Sequence, residues 1–306
     1  MVGRTLWLWV LLAPLARGQH VGSKACAGCH STQFDEQSKT GHARALSRPS
    51  EHALARFFSL SPVQWAFGAG EQAVTFVSQA DEEWYLEHGL SYYSSTKSMA
   101  LTPGHTSSTG ERYRTFDPSA AILRCFQCHS TGPLRLGQGL QIVPFEPGVR
   151  CESCHGPGEE HVRLRGQKRT IGNPKALTAA ALNEFCGSCH RKPPAAGDDT
   201  NWNNAWNTRH QPLYFSQSRC FRESLGRFSC LTCHAPHVRL EQSSKEHDRR
   251  CLGCHAKPQH RSGVRSQSCV GCHMPEVKPQ PNLRFVSHWI GIYAPGKPLR
   301  PRMSDR

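Results

Sequence analysis

Residues 148–162 read GVRCESCHGPGEEHV. Within them Cys151 and Cys154 stand three apart, His155 follows at once, and His161 comes six residues later. Working outward, the same C-x-x-C-H pattern recurs as CAGCH at 26–30, CFQCH at 125–129, CGSCH at 186–190, CLTCH at 230–234, CLGCH at 251–255 and CVGCH at 269–273. Fourteen of the fifteen cysteines fall into these seven motifs: Cys26, Cys29, Cys125, Cys128, Cys151, Cys154, Cys186, Cys189, Cys230, Cys233, Cys251, Cys254, Cys269 and Cys272. The histidines that close them are His30, His129, His155, His190, His234, His255 and His273. Histidine makes up 18 of 306 residues, so seven successes in seven by chance have a probability on the order of 10⁻⁹.

C-x-x-C-H is the attachment signature of c-type heme. The two thiols form thioethers to the porphyrin, and the adjacent histidine is directed at the iron. Zinc ribbons need two cysteine pairs per metal and no fixed histidine after them. A redox C-x-x-C needs one low-pKa thiol, usually once per domain. Neither accounts for seven closing histidines, so the sequence implies seven covalently bound heme c groups. Composition agrees: hydrophobic residues are only 37% of the chain, cysteines included. Porphyrin faces would supply the apolar surface that the side chains lack. Without its first eighteen residues, read below as a signal peptide, a compact chain of about 288 residues has a radius of gyration of roughly 19 Å, which keeps neighbouring porphyrins within tunnelling reach. The formal charge of +14 is largely offset by propionates at about −2 per heme, and no nucleic-acid partner is expected.

The opening VGSKACAGCHSTQF…TGHARAL, the central GVRCESCHGPGEEHV and the C-terminal SCLTCHAPH…CLGCH…CVGCHMP resemble multiheme c-type cytochromes. That group contains the small tetraheme electron acceptors of hydroxylamine oxidoreductase and, more distantly, the pentaheme nitrite reductases. The resemblance covers residues 21–291 patchily; it is strong at the motifs and weak between 50 and 115.

Each iron takes a sixth ligand that the motif does not provide. Eleven histidines lie outside the motifs, whereas the only methionines beyond Met1 are Met99, Met274 and Met303. Bis-histidine ligation is therefore expected, with lower potentials than His/Met. The resemblance implies His42 in TGHARAL, His161 in CHGPGEEH, His237 in CHAPH, and His260 and His288 near the C-terminus as sixth ligands. His105 in TPGH and His210 in NTRHQ bring the set to seven. No pairing of these histidines with particular motifs follows from the sequence. Cys220, the leftover thiol, has three open readings: an inert buried thiol, an axial thiolate, or an intermolecular disulfide.

Along the chain, Met1 to Gly18 reads as a secretory signal peptide, with Arg4 before the apolar run TLWLWVLLAPL and small residues at the cleavage point. Residues 19–293 form the heptaheme domain, and 294–306 a basic disordered tail. The expected fold is mainly α with much irregular coil, organised around stacked hemes, with a small β-containing insertion at about 60–115. There, AVTFV at 73–77 and WYLEH at 84–88 read as two strands. Residues 176–185 read as a helix running into CGSCH, and 191–212 as an exposed loop. No stretch after the signal peptide is long and apolar enough to span a bilayer.

The resulting expectation is a periplasmic or extracellular cytochrome passing electrons between redox partner proteins of the cell envelope. One alternative is a multiheme reductase or oxidase of small nitrogen or sulfur oxyanions, with one open-site heme. Pentaheme nitrite reductases commonly close their catalytic motif with lysine, whereas all seven motifs here close with histidine. A second alternative is a subunit of an extracellular cytochrome conduit or filament. On these grounds an electron carrier is favoured over a catalyst.

Overall fold

The computed structural model describes residues 18–57, 63–115, 121–195, 198–256, 260 and 268–302. The signal-peptide reading, apart from Gly18, lies outside the described residues, as do 303–306 of the tail.

Ala73–Asp81 (β3) is rich in β-branched and aromatic residues, and Val74, Phe76, Val77 and Ser78 are buried along it. Such residues fit a pleated surface that is covered on both faces. Three further strands of the same sheet precede or follow in antiparallel register: Leu46–Ser47 (β1), Trp65–Phe67 (β2) and Trp84–Glu87 (β4). Leu90–Tyr93 (β5), Ser98–Leu101 (β6) and Glu111–Arg114 (β7) complete seven strands. Their order is β1-β2-β3-β4-β7, with β5 pairing both β3 and β6. Ser130–Leu136 (β8) and Ile142–Pro147 (β9) form one separate hairpin, and Glu276–Gln280 (β10) and Leu283–Val286 (β11) another.

The helices are short. In chain order they are Ser23–Ala27 (α1), Ser31–Ser38 (α2), Ala121–His129 (α3), Cys151–His155 (α4), Glu159–Arg163 (α5), Ala179–His190 (α6), Gln211–Phe215 (α7), Arg219–Glu223 (α8), Cys230–Cys233 (α9), Ser244–Leu252 (α10) and Cys269–His273 (α11). Hydroxyl side chains start four of those that carry motifs. Thr178, Ser243 and Ser268 accept backbone N–H groups at the starts of α6, α10 and α11, and Ser229 closes a capping box with Thr232 on α9. Each such cap is worth about 1 kcal/mol, which matters in helices too short to hold themselves.

A mainly α chain is not what forms. With 34% helix and 21% strand, the proportions are those of an ordinary mixed domain. The β structure also exceeds a small insertion, because strands lie on both sides of 60–115. The hairpin β8–β9 has no clean period-two pattern: Pro133 and Pro144 interrupt it, and the register shifts between Thr131 and Leu134. A bulge of that kind erases the alternation by which a strand is read. Residues 191–212 are only partly loop-like. Trp202 packs edge-on against Tyr214 at 5.2 Å and Trp289 at 5.0 Å, and Thr208 is buried. Within 294–302 an isolated bridge joins Ala294 to Lys297.

Two apolar clusters flank the large sheet. On one face Leu46, Trp65, Phe67, Val77 and Tyr85 pack with Ile122 and Phe126 of α3 and Ile142 of β9. On the other, Ala66, Val74, Phe76 and Tyr92 pack together. The first cluster fixes α3, and with it the second motif. No helix among the described residues is long and apolar enough to cross a membrane.

Candidate heme sites

All seven motifs lie on or directly beside a helix, so the two thiols and the histidine of each project from consecutive turns. None of the fifteen cysteines is fully buried and none forms a disulfide; Cys29, Cys189, Cys254 and Cys272 are exposed. Free cysteine is ordinarily among the most buried residues, whereas every motif cysteine here keeps at least part of its surface open, as attachment to a cofactor requires.

The histidines answer a sharper test. Two imidazoles on opposite faces of one iron, each bound at about 2.0 Å, have ring centroids about 6.3 Å apart. His30 and His161 are 6.3 Å apart with rings 17° from parallel. His155 and His237 are 6.0 Å apart at 15°, and His234 and His288 are 6.1 Å apart at 28°. His260 and His273 stand at 6.2 Å, and His42 and His190 at 5.9 Å. Every pair joins one motif histidine to one histidine outside the motifs. The outside members are the five that the family resemblance implies.

Ring nitrogens are disposed accordingly. A metal-bound imidazole usually gives its other N–H to a carbonyl or carboxylate, which fixes the ring. Nδ1 of His129 lies 2.9 Å from the Ala45 carbonyl, that of His155 2.7 Å from Gly172, that of His273 2.9 Å from Gly291, and that of His288 3.0 Å from Val286. Nε2 of each is left for a metal. His161 has a buried Nδ1 with no hydrogen-bond partner. His247 also approaches His234, at 6.4 Å, but its Nε2 is engaged by the Glu241 carbonyl at 3.1 Å. The dense protein around His190, and next the His42 and His129 imidazoles, push it down to about 4. Burial and then His234 do the same to His288. Both are neutral at pH 7, the form that binds metal.

Residues 79–156, which include two of the motifs, match the family described as cytochrome c554 and c-prime. The multiheme cytochrome MtrA of Shewanella baltica (strain OS185) is 28% identical over 113 residues, covering 36% of this chain and 28% of MtrA. The chain thus spans little more than a quarter of that relative's length. Two solved structures share the fold. The outer cell wall cytochrome OcwA gives a TM-score of 0.56 at 16% identity, covering 89% of this chain and 79% of OcwA. The undecaheme cytochrome from the S-layer of Carboxydothermus ferrireducens gives 0.53 at 19% identity, covering 90% of this chain and 52% of its own. The chain is a multiheme c-type cytochrome.

Neither of the other two histidines expected as ligands lies at that spacing from a motif histidine. His105 turns its Nε2 to the Glu87 carboxylate at 2.9 Å, within the large sheet. His210 stands immediately before α7 without capping it, and burial and then Arg209 and Arg191 push it down to about 4. Among the described residues, no imidazole faces His129 or His255 at the spacing of the five pairs. Cys220 is half-buried, and burial raises its thiol.

The cytochrome also brings its motifs into contact with one another. Helix α1 packs on α4, α6 on α9, α9 on α10 and α10 on α11. Thiols of different motifs neighbour one another closely enough to shift each other's ionisation: Cys26 and Cys151, Cys128 and Cys189, Cys186 and Cys230, and Cys251 and Cys269. The neighbouring Cys128 thiol lowers that of Cys189.

Residues that sequence reasoning passed over do the positioning. Glu152 occupies a variable place inside CESCH, yet its buried carboxylate accepts the N–H groups of Val21 at 3.0 Å, Gly22 at 2.8 Å and Gly158 at 2.7 Å. Those bonds clamp the lead-in to the first motif, and the start of α5 with His161, onto the third motif. Ser23 donates to the Glu146 carboxylate beside it. Ser218, fully buried, donates to the His288 carbonyl at 2.9 Å and accepts from Ile290 N–H at 2.8 Å. Gly148, at φ +81°, lets the chain pass where a Cβ would meet the Ala43 carbonyl oxygen at 2.1 Å. That approach seats His42, whose carbonyl takes the Val149 N–H at 2.8 Å.

Proposed function

We propose that this cytochrome carries seven covalent hemes and passes electrons between redox partner proteins outside the cytoplasm, in the periplasm or at the cell surface. Bound heme c supplies a one-electron carrier at each site; the chain's part is to hold the sites close and to set their axial ligands. The carrying observation is the set of five imidazole pairs at 5.9–6.3 Å. They support His161 as partner of the first motif, His237 of the third, His42 of the fourth, His288 of the fifth and His260 of the seventh. The thiol and helix contacts between motifs support two runs, first–third and fourth–fifth–sixth–seventh, with the second motif beside the fourth through Cys128 and Cys189.

Intact mass of the matured protein is expected to show seven heme additions. The EPR spectrum of the oxidised protein is expected to be dominated by low-spin bis-histidine signals. His161→Ala should convert one of these to high spin, and so should His237→Ala. If single alanine variants of His42, His161, His237, His260 and His288 all left the spectrum unchanged, the assignment would be wrong.

A second reading concerns the second motif alone. His129 is anchored through Nδ1 to Ala45 with no imidazole opposite among the described residues. That arrangement favours an outer axial position open to a small nitrogen or sulfur oxyanion. A high-spin ferric signal in the wild type that vanishes with Cys125→Ser/Cys128→Ser is its mark.

A further inference from the structure

Glu87, at the end of β4, stands directly opposite Glu111 on β7. Like charges in directly opposed cross-strand positions destabilise a sheet. The cations on β7 do not relieve them. Strand alternation sends Arg112 and Arg114 to the other face, where they pair with Asp81 at 2.9 Å and Glu83 at 2.8 Å. On the Glu face stands His105 instead, its side chain only 5% exposed, with Nε2 2.9 Å from Glu87 Oε2. Its loop is closed by Gly110, at φ +77°, where a Cβ would meet the Glu87 carbonyl oxygen at 2.6 Å. One donor atom each from Glu87, His105 and Glu111 lies within 4.8 Å of the others.

We propose that Glu87, His105 and Glu111 form a binding site for one divalent first-row transition-metal ion, separate from the heme irons. The donor set decides the class. One imidazole nitrogen with two carboxylates suits zinc, manganese or ferrous iron, whereas calcium and magnesium take oxygen alone. Two donors about 2.1 Å from a common ion in tetrahedral array are about 3.4 Å apart, so small side-chain rotations close this cluster on an ion. Such an ion supplies the positive charge that the opposed glutamates lack. Tyr113 is the outer support: its hydroxyl donates to Glu111 at 2.6 Å and lies 3.4 Å from Glu87. Outer donors of this kind fix a carboxylate ligand's orientation. Tyr113 and Cys125 also pack against the same apolar cluster, which places the ion beside the second heme motif and within reach of it should the ion be reducible.

The test titrates the chelator-treated, heme-loaded cytochrome with Zn²⁺ by calorimetry, for wild type, His105→Ala and Glu111→Gln. One tight site per chain is expected, weakened about 100-fold by His105→Ala and about 10-fold by Glu111→Gln. The heme absorption spectrum should be unchanged in both variants. Zinc-edge X-ray absorption should show nitrogen and oxygen donors without sulfur. The proposal is overturned by the absence of a tight site, by sulfur in the coordination shell, or by a tight site that both variants retain. Glu111 is exposed, so its variant tests the site even if His105→Ala disturbs the loop.

Discussion

Residues 43–147 and residues 151–291 bury apolar surface by different means. Of the twenty-one buried apolar side chains among the described residues, fourteen lie between Ala43 and Ile142 and only seven between Ala179 and Leu283. The first region contains a single heme motif and the second contains five. In the first, Phe126 receives the edges of Phe67 at 5.1 Å, Trp65 at 5.6 Å and Tyr85 at 6.2 Å. In the second, Leu252 lies inside a motif and is largely exposed, and Leu225 is 90% exposed. The sheet is a side-chain core that happens to seat one heme. The motif-rich region buries few apolar side chains of its own, which covalent porphyrin at its motifs would make up.

The strongest way to break this comparison is to withhold the cofactor. A chain produced without heme attachment should lose order over 151–302 and keep the sheet. Limited proteolysis should then leave a resistant fragment spanning roughly 43–147, with β-type circular dichroism. Uniform protection of the whole chain, or uniform loss, would show that the two regions do not differ in what holds them.

Truncation of the sheet's hub comes next. Phe126→Ala removes the ring that three aromatics and Ile122 enclose, and large-to-small changes of this kind cost about 3–5 kcal/mol. Because Phe126 lies inside CFQCH, the loss should appear in denaturant melts together with a disturbed second heme. The five imidazole pairs, all outside that motif, should keep their low-spin signals. A variant that perturbed the paired sites equally would mean that the sheet and the motif-rich region are one cooperative unit.

What could be read without coordinates follows from the same division. The seven motifs were legible because heme chemistry fixes their spacing within five residues, and the family resemblance singled out His42, His161, His237, His260 and His288, the histidines that stand opposite motif histidines in the fold. Which motif each of them faces was not, because His42 meets His190 and His155 meets His237 across long sequence separations. The strands at 73–77 and 84–88 showed in their composition. The hairpin at 130–147 did not, because prolines and a bulge break its period. His105 and His210 completed the expected set by number alone, and a count carries no geometry. Glu152 was invisible for another reason: its position inside C-x-x-C-H tolerates any residue, and only the fold brings Val21, Gly22 and Gly158 to it.

Glu152 supplies the smallest and most discriminating prediction. Its carboxylate is the polar counterpart of Phe126, tying the first, third and His161-bearing segments together without apolar burial. Glu152→Ala leaves one buried and two partly buried backbone N–H groups without their acceptor, a loss of about 2–3 kcal/mol after partial access of water. The change should fall on the site that joins His30 to His161. One low-spin EPR signal should shift or broaden, and the rest should hold. Thermal melts of the heme-loaded protein should fall by less than those of Phe126→Ala, because the thioethers at Cys26, Cys29, Cys151 and Cys154 still pin both motifs to their porphyrins. A Glu152 variant that melted lower than the Phe126 variant would reverse the argument, making buried polar ties rather than porphyrin the main support of the motif-rich region.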